Sequence, residues 1–425
     1  MHNKKRLSLI IPIYNSSIYL KKVLRNIVIA NYSTFYEILL VNDCSNDDSL
    51  KLCLNFKYKN PKLNIKIINN KKNLGVGASR NIGIKVATSE YLAFIDSDDI
   101  VIKDNLLKLI KFLKSKSKIK DVLFLNFEDI DGKIKNLYTN EKCKNKNYLL
   151  KLLGVNQNIN YCFQYIYNKK FLTKNKLLFE ELRYAEDLLF ITKVFCLMKT
   201  YKKLNISLLK HTYNKRGLTS KINIENDSSY LHIIKFLEKF EKKNFSKLNY
   251  SENEYIKKRK KNCLEQFLIR CLKYDFNEII SFNKKIIKKT GNISVDSSFL
   301  NKKKYSINLI QNLNLIQIRI INFIKNLSIN EAIGIYGYGV VGRSVKVFLN
   351  KIKYKNFIFF DDKVASKVNV IDSTKIYNID KFSCINLFKI KKIIICIPHL
   401  EYQKKIYINL VKKKYLKKNI LKLII

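Results

Sequence analysis

Tryptophan is absent from the 425 residues, and proline occurs only three times, methionine twice and glycine eleven times. No apolar stretch reaches the roughly 18 residues that a membrane-spanning helix needs. The N-terminal stretch MHNKKRLSLIIPIYN has a basic head and a short apolar run. It lacks a small-residue cleavage site and contains Pro12, so it reads as a first core strand and not as a signal peptide. The nine cysteines include no CxxC pair and no Cys/His group at zinc spacing. Cys44, Cys53, Cys162, Cys196, Cys384 and Cys396 fall in or beside apolar runs, as small hydrophobes do, which fits a reducing compartment. The expected location is the cytoplasm.

Acidic residues are also scarce: 34 against 82 basic ones, a net charge of +48. Nucleic acid is the first partner such a charge suggests. Only nine of the 82 are Arg, however, the usual reader of bases, and the excess is spread along the whole chain. Lys, Asn and Ile are heavily used throughout, the pattern of codon use in an AT-rich genome. The charge therefore reads as compositional background, and no nucleic-acid partner is expected. A basic skin of this kind suits peripheral contact with the anionic inner face of a membrane. Apolar residues make up 47% of the chain, enough for a sizeable core, and the length suggests two or three domains.

The first hundred residues alternate two periodicities. Leu7–Ile13 is a short apolar strand, and Ser16 and Ser17 offer an N-cap. Leu20, Val23, Leu24 and Ile27 then recur at helical spacing. Ile38–Val41, Ile65–Ile68 and Tyr91–Ile95 read as further strands, with a helix over Gly75–Ala87. Strands separated by helices imply a parallel sheet with crossovers. A further amphipathic helix is expected over residues 104–115, a strand at Val122–Phe127, a helix from about Glu186, and a strand through Ile206–Tyr213. Residues 226–330 carry apolar positions at helical spacing and read as a helical connector. A new α/β pattern begins at Ala332. The expected division is 1–225, 226–330 and 331–425.

Ligands of open parallel sheets bind beyond the carboxyl ends of the strands. The first strand ends in Pro12-Ile13-Tyr14-Asn15, the second in Asn42-Asp43 and the fourth in Asp96-Ser97-Asp98-Asp99. Three strands thus deliver an aromatic, an isolated acid and an acid cluster to one edge; Asp43 could merely cap the next helix and Asp98 or Asp99 the helix near residue 104, but three such features at once favour a site. Asp-x-Asp after a strand suits Mg²⁺ or Mn²⁺, which takes one or two carboxylates and completes its shell with water and phosphate oxygens. An aromatic such as Tyr14 and an acceptor such as Asp43 could hold a base and its N–H. The constellation describes a nucleotide-diphosphate donor.

Four segments, LSLIIPIYN (7–15), ILLVNDCSNDDS (38–49), NLGVGASRNIGI (73–84) and YLAFIDSDD (91–99), resemble glycosyltransferase family 2 in order and spacing. RYAEDLLF (183–190) resembles that family's Glu-Asp motif, and HTYNKRGLTS (211–220) a later segment of it. The resemblance covers roughly residues 5–225 and implies the GT-A fold, an α/β class. It also implies roles. Asp43 would contact the nucleobase, with Pro12, Tyr14 and Asn15 lining the pocket. Arg80 would lie near base or phosphate, Asp96 near ribose and metal, and Asp98 would be the main carboxylate for Mn²⁺ or Mg²⁺. Asp187 would be the general base, Glu186 would shape the site, and Arg216 would meet the diphosphate. Asn42 departs from the commoner Asp-Asp pair. The implied partners are a nucleotide-sugar donor and a glycan or lipid-linked glycan acceptor. The implied reaction is inverting, metal-dependent transfer to a bacterial surface glycan such as capsule or lipooligosaccharide. The plain reading of Asp187 is an acid at a helix N-terminus.

At the C-terminal end, Gly337-x-Gly339-x-x-Gly342 follows an apolar run and opens a helix, and FIFF (357–360) then ends in Asp361-Asp362. This is a dinucleotide-binding fingerprint in context, and Gly337, Gly339, Gly342 and Asp361 form a candidate second nucleotide site in a Rossmann-like module. About 95 residues supply only half of such a fold. The module could instead serve docking, with glycines that only permit tight strand–helix packing. Two other functional classes stay open: a nucleotide-sugar dehydrogenase or epimerase built on this module, and a non-catalytic sugar-nucleotide-binding scaffold.

Overall fold

LSLIIPI, residues 7–13, is buried along its whole length, as a strand covered on both faces of a sheet must be. The structure is a computed structural model. It describes residues 6–271 except 30–31, 116–118, 130–131, 136–144, 155–159, 183 and 213–223, and parts of residues 320–422. The chain divides into two compact units, Met1–Lys260 and Lys261–Ile425.

The first unit begins β1 (Leu7–Ile13), α1 (Ser17–Asn26), β2 (Tyr36–Asn42), α2 (Ser49–Lys59), β3 (Ile65–Asn69), α3 (Val76–Val86) and β4 (Tyr91–Phe94). β5 (Ile100–Val101), α4 (Lys103–Lys114), β6 (Val122–Glu128), β7 (Ile134–Lys135), α5 (Lys146–Leu153), β8 (Tyr165–Asn168) and α6 (Lys169–Lys174) follow. Then come α7 (Glu186–Leu197), β9 (Tyr201–Lys210), α8 (Ile224–Asp227), α9 (Ser229–Lys243) and the start of α10 (Tyr250–Cys271). The sheet order is β3-β2-β1-β4-β8-β6-β9-β5, with β7 on β6.

β3, β2, β1 and β4 are parallel, as their crossover helices require. Beyond β4 the sheet becomes mixed. β8 is antiparallel to both β4 and β6, and β9 is parallel to β6 with two register shifts. β9 runs from Tyr201 to Lys210 and so starts five residues before the expected strand. Pairing with β6 from Val122↔Tyr201 onward draws these polar residues into the sheet. The helical stripes behave as their spacing predicts: Leu20, Val23 and Leu24 on α1 and Leu106, Leu109, Ile110 and Leu113 on α4 are buried in one core.

Two local features shape the carboxyl edge of the sheet. β1 pairs with β4 only as far as Ile10↔Phe94, whereas its pairing with β2 continues to Ile13↔Asn42. The strands part after Ile10, and Pro12, which has no N–H to give, lies past the last β4 pair. The crevice therefore opens where the strand order reverses. α3 lies close over β1, because Gly83 has no Cβ: one built there would stand 2.3 Å from Ile10 Cγ2.

Ser16 occupies the N-cap position of α1 without capping it. Its hydroxyl instead bonds the Tyr14 carbonyl at 3.0 Å and meets Ser97 Oγ at 2.7 Å. Asp47, from the β2–α2 loop, accepts from the Ser17 N–H at 2.9 Å and acts at that helix start.

In the second unit β10 (Ala332–Tyr336), α11 (Val340–Lys351), β11 (Phe357–Phe360), β12 (Val368–Ile371), β13 (Thr374–Tyr377), β14 (Ile390–Ile395) and β15 (Ile420–Lys422) build a sheet of order β12-β13-β11-β10-β14-β15. It is parallel except for β12 on β13. No helix among the described residues is long and apolar enough to cross a membrane.

Candidate active site

The crevice gathers side chains from four separate stretches. α7 is buried nearly all round, from Leu188 to Cys196, so it can only be an interior helix. Its N-terminus, entered through Ala185 at φ +58°, delivers Glu186 and Asp187. Asp96 arrives just past β4, and Arg80 from α3. Arg80 Nη1 donates to Glu186 Oε1 and to Asp187 Oδ1, both at 2.7 Å, and Nη2 donates to Asp96 Oδ1 at 2.7 Å. The Arg80 side chain is 3% exposed and that of Asp187 15%. The Cys162 N–H donates to Asp187 Oδ2 at 2.9 Å.

This crowding moves the acids. Burial, then the neighbouring Asp187, pushes Glu186 up to about 7 against the opposing pull of Arg80. Burial also raises Asp187, again against Arg80, with Asp96 adding to the rise. Burial alone would lower Arg80, but the charges of Asp187, Asp96 and Glu186 hold it well above its ordinary value. A carboxylate with a raised pKa in a crevice is equipped to take a proton near neutral pH.

A second cluster lies beside the first. Asp99 is 1% exposed, and its Oδ1 meets His211 Nδ1 at 2.9 Å and accepts from the Thr212 N–H at 3.0 Å. Its Oδ2 is buried and has no partner among the described residues. Burial raises Asp99 to about 6, opposed by the His211 bond. The His211 ring packs against Phe163 and Tyr161, with centroids 5.6 and 5.3 Å away. Thr212 also ties its hydroxyl to the Asp98 carbonyl. The sequence suggested only a helix cap for Asp99 and no role for His211; 112 residues separate them, and only the pairing of β5 with β9 brings them together.

Asp43 is 2% exposed and already holds the lead-in to α3. Oδ1 accepts from Asn70 Nδ2 at 2.8 Å and the Leu74 N–H at 2.9 Å, and Oδ2 from the Gly75 N–H at 2.8 Å. Gly75, at φ +90°, makes that turn. The plain alternatives for Asp43, Asp98 and Asp99 as caps of α2 and α4 do not hold: Asp48 and Ile102 occupy those positions. Asn15, at φ +46°, is also engaged, receiving the Asn46 N–H at 2.8 Å and giving its own N–H to Ser45 Oγ at 3.0 Å. Pro12 is buried in β1, and Tyr14 stands 49% exposed at the crevice rim. Arg216 lies outside the described residues.

Asp96 and Asp98 stand half-buried on one loop. Among the described residues no three acidic, His or Cys side chains converge to cage an ion. The residues present suit a hard divalent cation held by one or two carboxylates and completed by substrate oxygens, and do not suit a protein-caged metal such as zinc.

In the second unit Gly337, at φ +97°, leaves β10 and gives its N–H to the Phe360 carbonyl at 2.7 Å. Gly342 falls within α11; Gly339 and Asp361 lie outside the described residues.

The sequence profile of "Glycosyl transferase family 2" matches residues 8–173. Among curated proteins, the chain is 32% identical over 195 residues to poly(ribitol-phosphate) beta-N-acetylglucosaminyltransferase TarS of Staphylococcus aureus, covering 45% of this chain and 32% of that protein. It is 36% identical over 130 residues to a poly(ribitol-phosphate) beta-glucosyltransferase of Bacillus spizizenii, covering 30% of this chain and 20% of that one. It is 32% identical over 132 residues to glycosyltransferase GlyG of Streptococcus pneumoniae, covering 31% and 42%. The chain spans only about a third of the length of the first of these relatives. Among solved structures, TarS residues 1–349 align at 17% identity with a TM-score of 0.46, covering 87% of this chain and 95% of that one.

Proposed function

We propose that the chain, whose residues 8–173 match the profile of glycosyl transferase family 2, transfers a sugar from a nucleotide-diphosphate donor to a hydroxyl of a bacterial surface glycan, with inversion at the anomeric carbon. The observation that carries this reading is the convergence of Arg80, Asp96, Glu186 and Asp187, from three stretches of chain, at the carboxyl edge of β1 and β4.

A hydroxyl is a weak nucleophile near neutrality, so its proton must leave as its oxygen bonds to carbon. Asp187, raised and part-buried at the start of α7, is the base that accepts it. The acceptor oxygen attacks the anomeric carbon, the bond from that carbon to the diphosphate oxygen breaks, and the diphosphate leaves with the electron pair. Attack opposite the leaving group inverts the anomer. Tyr14, Pro12, Asn15 and Asp43 form the nucleobase end; Asp43 still has lone pairs beyond its three bonds. Asp98 and Asp96 would hold Mn²⁺ or Mg²⁺, which when bound neutralises charge on a diphosphate. Arg216 is assigned to the diphosphate.

The relatives' names make N-acetylglucosamine and glucose the first donor sugars to try, and polyol-phosphate polymers the first acceptors beside capsule and lipooligosaccharide. The Lys-rich surface suits a cytoplasmic protein resting on an anionic leaflet that presents a lipid-linked acceptor. The test is a screen of nucleotide sugars with Mn²⁺ for slow donor hydrolysis and thermal stabilisation. A response to one donor supports the reading; a folded chain that answers to none overturns it. A nucleotide at Gly337, Gly339, Gly342 and Asp361 is a second reading, favoured by the Gly337 turn. Titration of the full chain with NAD(H) and sugar nucleotides checks it, and no binding beyond the first site leaves only a packing role.

A further inference from the structure

The resemblance assigned Arg80 to base or phosphate, yet both terminal nitrogens of its guanidinium are engaged by the protein. Of its five N–H groups, three go to Glu186, Asp187 and Asp96. Nε has no partner among the described residues. The Phe179 ring lies 5.3 Å from the guanidinium carbon and is stacked on Phe190 of α7 at 4.0 Å. Asn81, the next residue of α3, grips the Phe179 backbone from both sides, at 2.8 and 2.9 Å. The arginine is thus clamped between α3 and α7 and is not placed to move freely to a ligand.

We propose that Arg80 is a positioning residue that holds the carboxylate of Asp187 at a fixed distance from the donor-side carboxylate of Asp96. The inference rests on reading Asp187 as the base. One planar group bonds both acids, so their separation is set by the breadth of a guanidinium and two hydrogen bonds of 2.7 Å. The other Asp187 oxygen is fixed by the Cys162 N–H. Turning the carboxylate breaks one of these contacts. Glu186 shares Nη1, so Arg80 cannot slide toward Asp96 without giving up two bonds at once. A lysine carries the charge without the planar fork and cannot hold both acids in this way. In-line transfer needs the acceptor hydroxyl and the donor carbon aligned, and a shift of about 1 Å can cost about 10²-fold in rate.

The test uses the full chain with Arg80→Lys, Arg80→Ala and Phe179→Leu, the last removing only the ring against the guanidinium. Three quantities are measured: steady-state transfer, thermal unfolding, and hydrogen exchange of the Cys162 amide, each with and without methylguanidinium. Arg80→Lys is expected to fold and to lose about 10²-fold in kcat, with donor KM changed only several-fold. Methylguanidinium should restore part of the activity of Arg80→Ala, Cys162 should exchange faster in both variants, and Phe179→Leu should fall between them and wild type. A folded Arg80→Lys or Phe179→Leu with wild-type kcat and wild-type Cys162 exchange overturns the proposal. So does a loss of stability alone, with full kcat per folded molecule. Should the wild-type chain transfer no sugar while Arg80→Lys still speeds Cys162 exchange, the positioning role stands and the assigned reaction falls.

Discussion

The two ends of the parallel strands each bury acid, in opposite ways. At the amino end, Glu37 of β2 is fully buried and saturated with donors: Ser8 Oγ, the N–H and hydroxyl of Thr88, and the N–H and hydroxyl of Ser89. These five donors are neutral, and the Lys66 ammonium stands 3.9 Å from Oε2, outside hydrogen-bond reach. At the carboxyl end, three acids share one guanidinium, and Arg80 Nε and Asp99 Oδ2 are left without partners among the described residues. A saturated carboxylate has its charge spread over fixed donors and has little left to do beyond holding the strands to the loop at 88–89. An under-supplied cluster keeps lone pairs and raised acids for a substrate, at a cost in stability.

The largest contrast should come from the bases themselves. Asp187→Asn is expected to fold and lose about 10³-fold in kcat, while Glu37→Gln keeps wild-type kcat per folded molecule; steady-state assays on both variants check this. Equal activity in Asp187→Asn would erase the functional half of the contrast. Asp98→Asn, and exhaustive chelation of the wild type, are expected to lower transfer by about 10²-fold, with Mn²⁺ restoring the chelated protein but not the variant. Stability reverses the ranking. Glu37→Ala strands several buried donors and should cost about 3 kcal/mol by urea unfolding. Gly83→Ala should cost about 1–3 kcal/mol, because the new methyl meets Ile10 in a packed core.

The last effect is one of pH. Glu186 rises from its ordinary 4.5 to about 7, so the folded chain binds that proton more tightly than the unfolded one. Its contribution is fullest below pH 4.5, declines as pH climbs from 4.5 to 7, and is level above. Glu186→Gln cannot ionise, so its melting temperature relative to wild type should rise between pH 5 and pH 8. A difference that is constant with pH would remove the buried charge from the account.

Much of this is legible in the sequence. The stripe of Leu20, Val23 and Leu24, the apolar runs at 7–13 and 122–127, and the acids closing the second and fourth strands lie within local reach of 3.6- and 2-residue periods. Hydrogen-bond partners were not legible. Ser16 reads as a cap, yet Asp47 takes that work from 30 residues away. Asp99 and His211 meet only because β5 pairs with β9. Arg80 reads as a ligand group, and its three acids lie 16, 106 and 107 residues along the chain.

The sequence by itself determined the alternation of strand and helix, the parallel half of the first sheet, and the set of acids at its carboxyl edge, because side-chain periodicity and turn chemistry are local. Only the tertiary structure decided which acid met which cation, which oxygens stayed unmatched and how far each pKa moved. Those depend on burial and on distances of a few ångströms between residues far apart in the chain, where a Coulomb interaction grows as water is excluded.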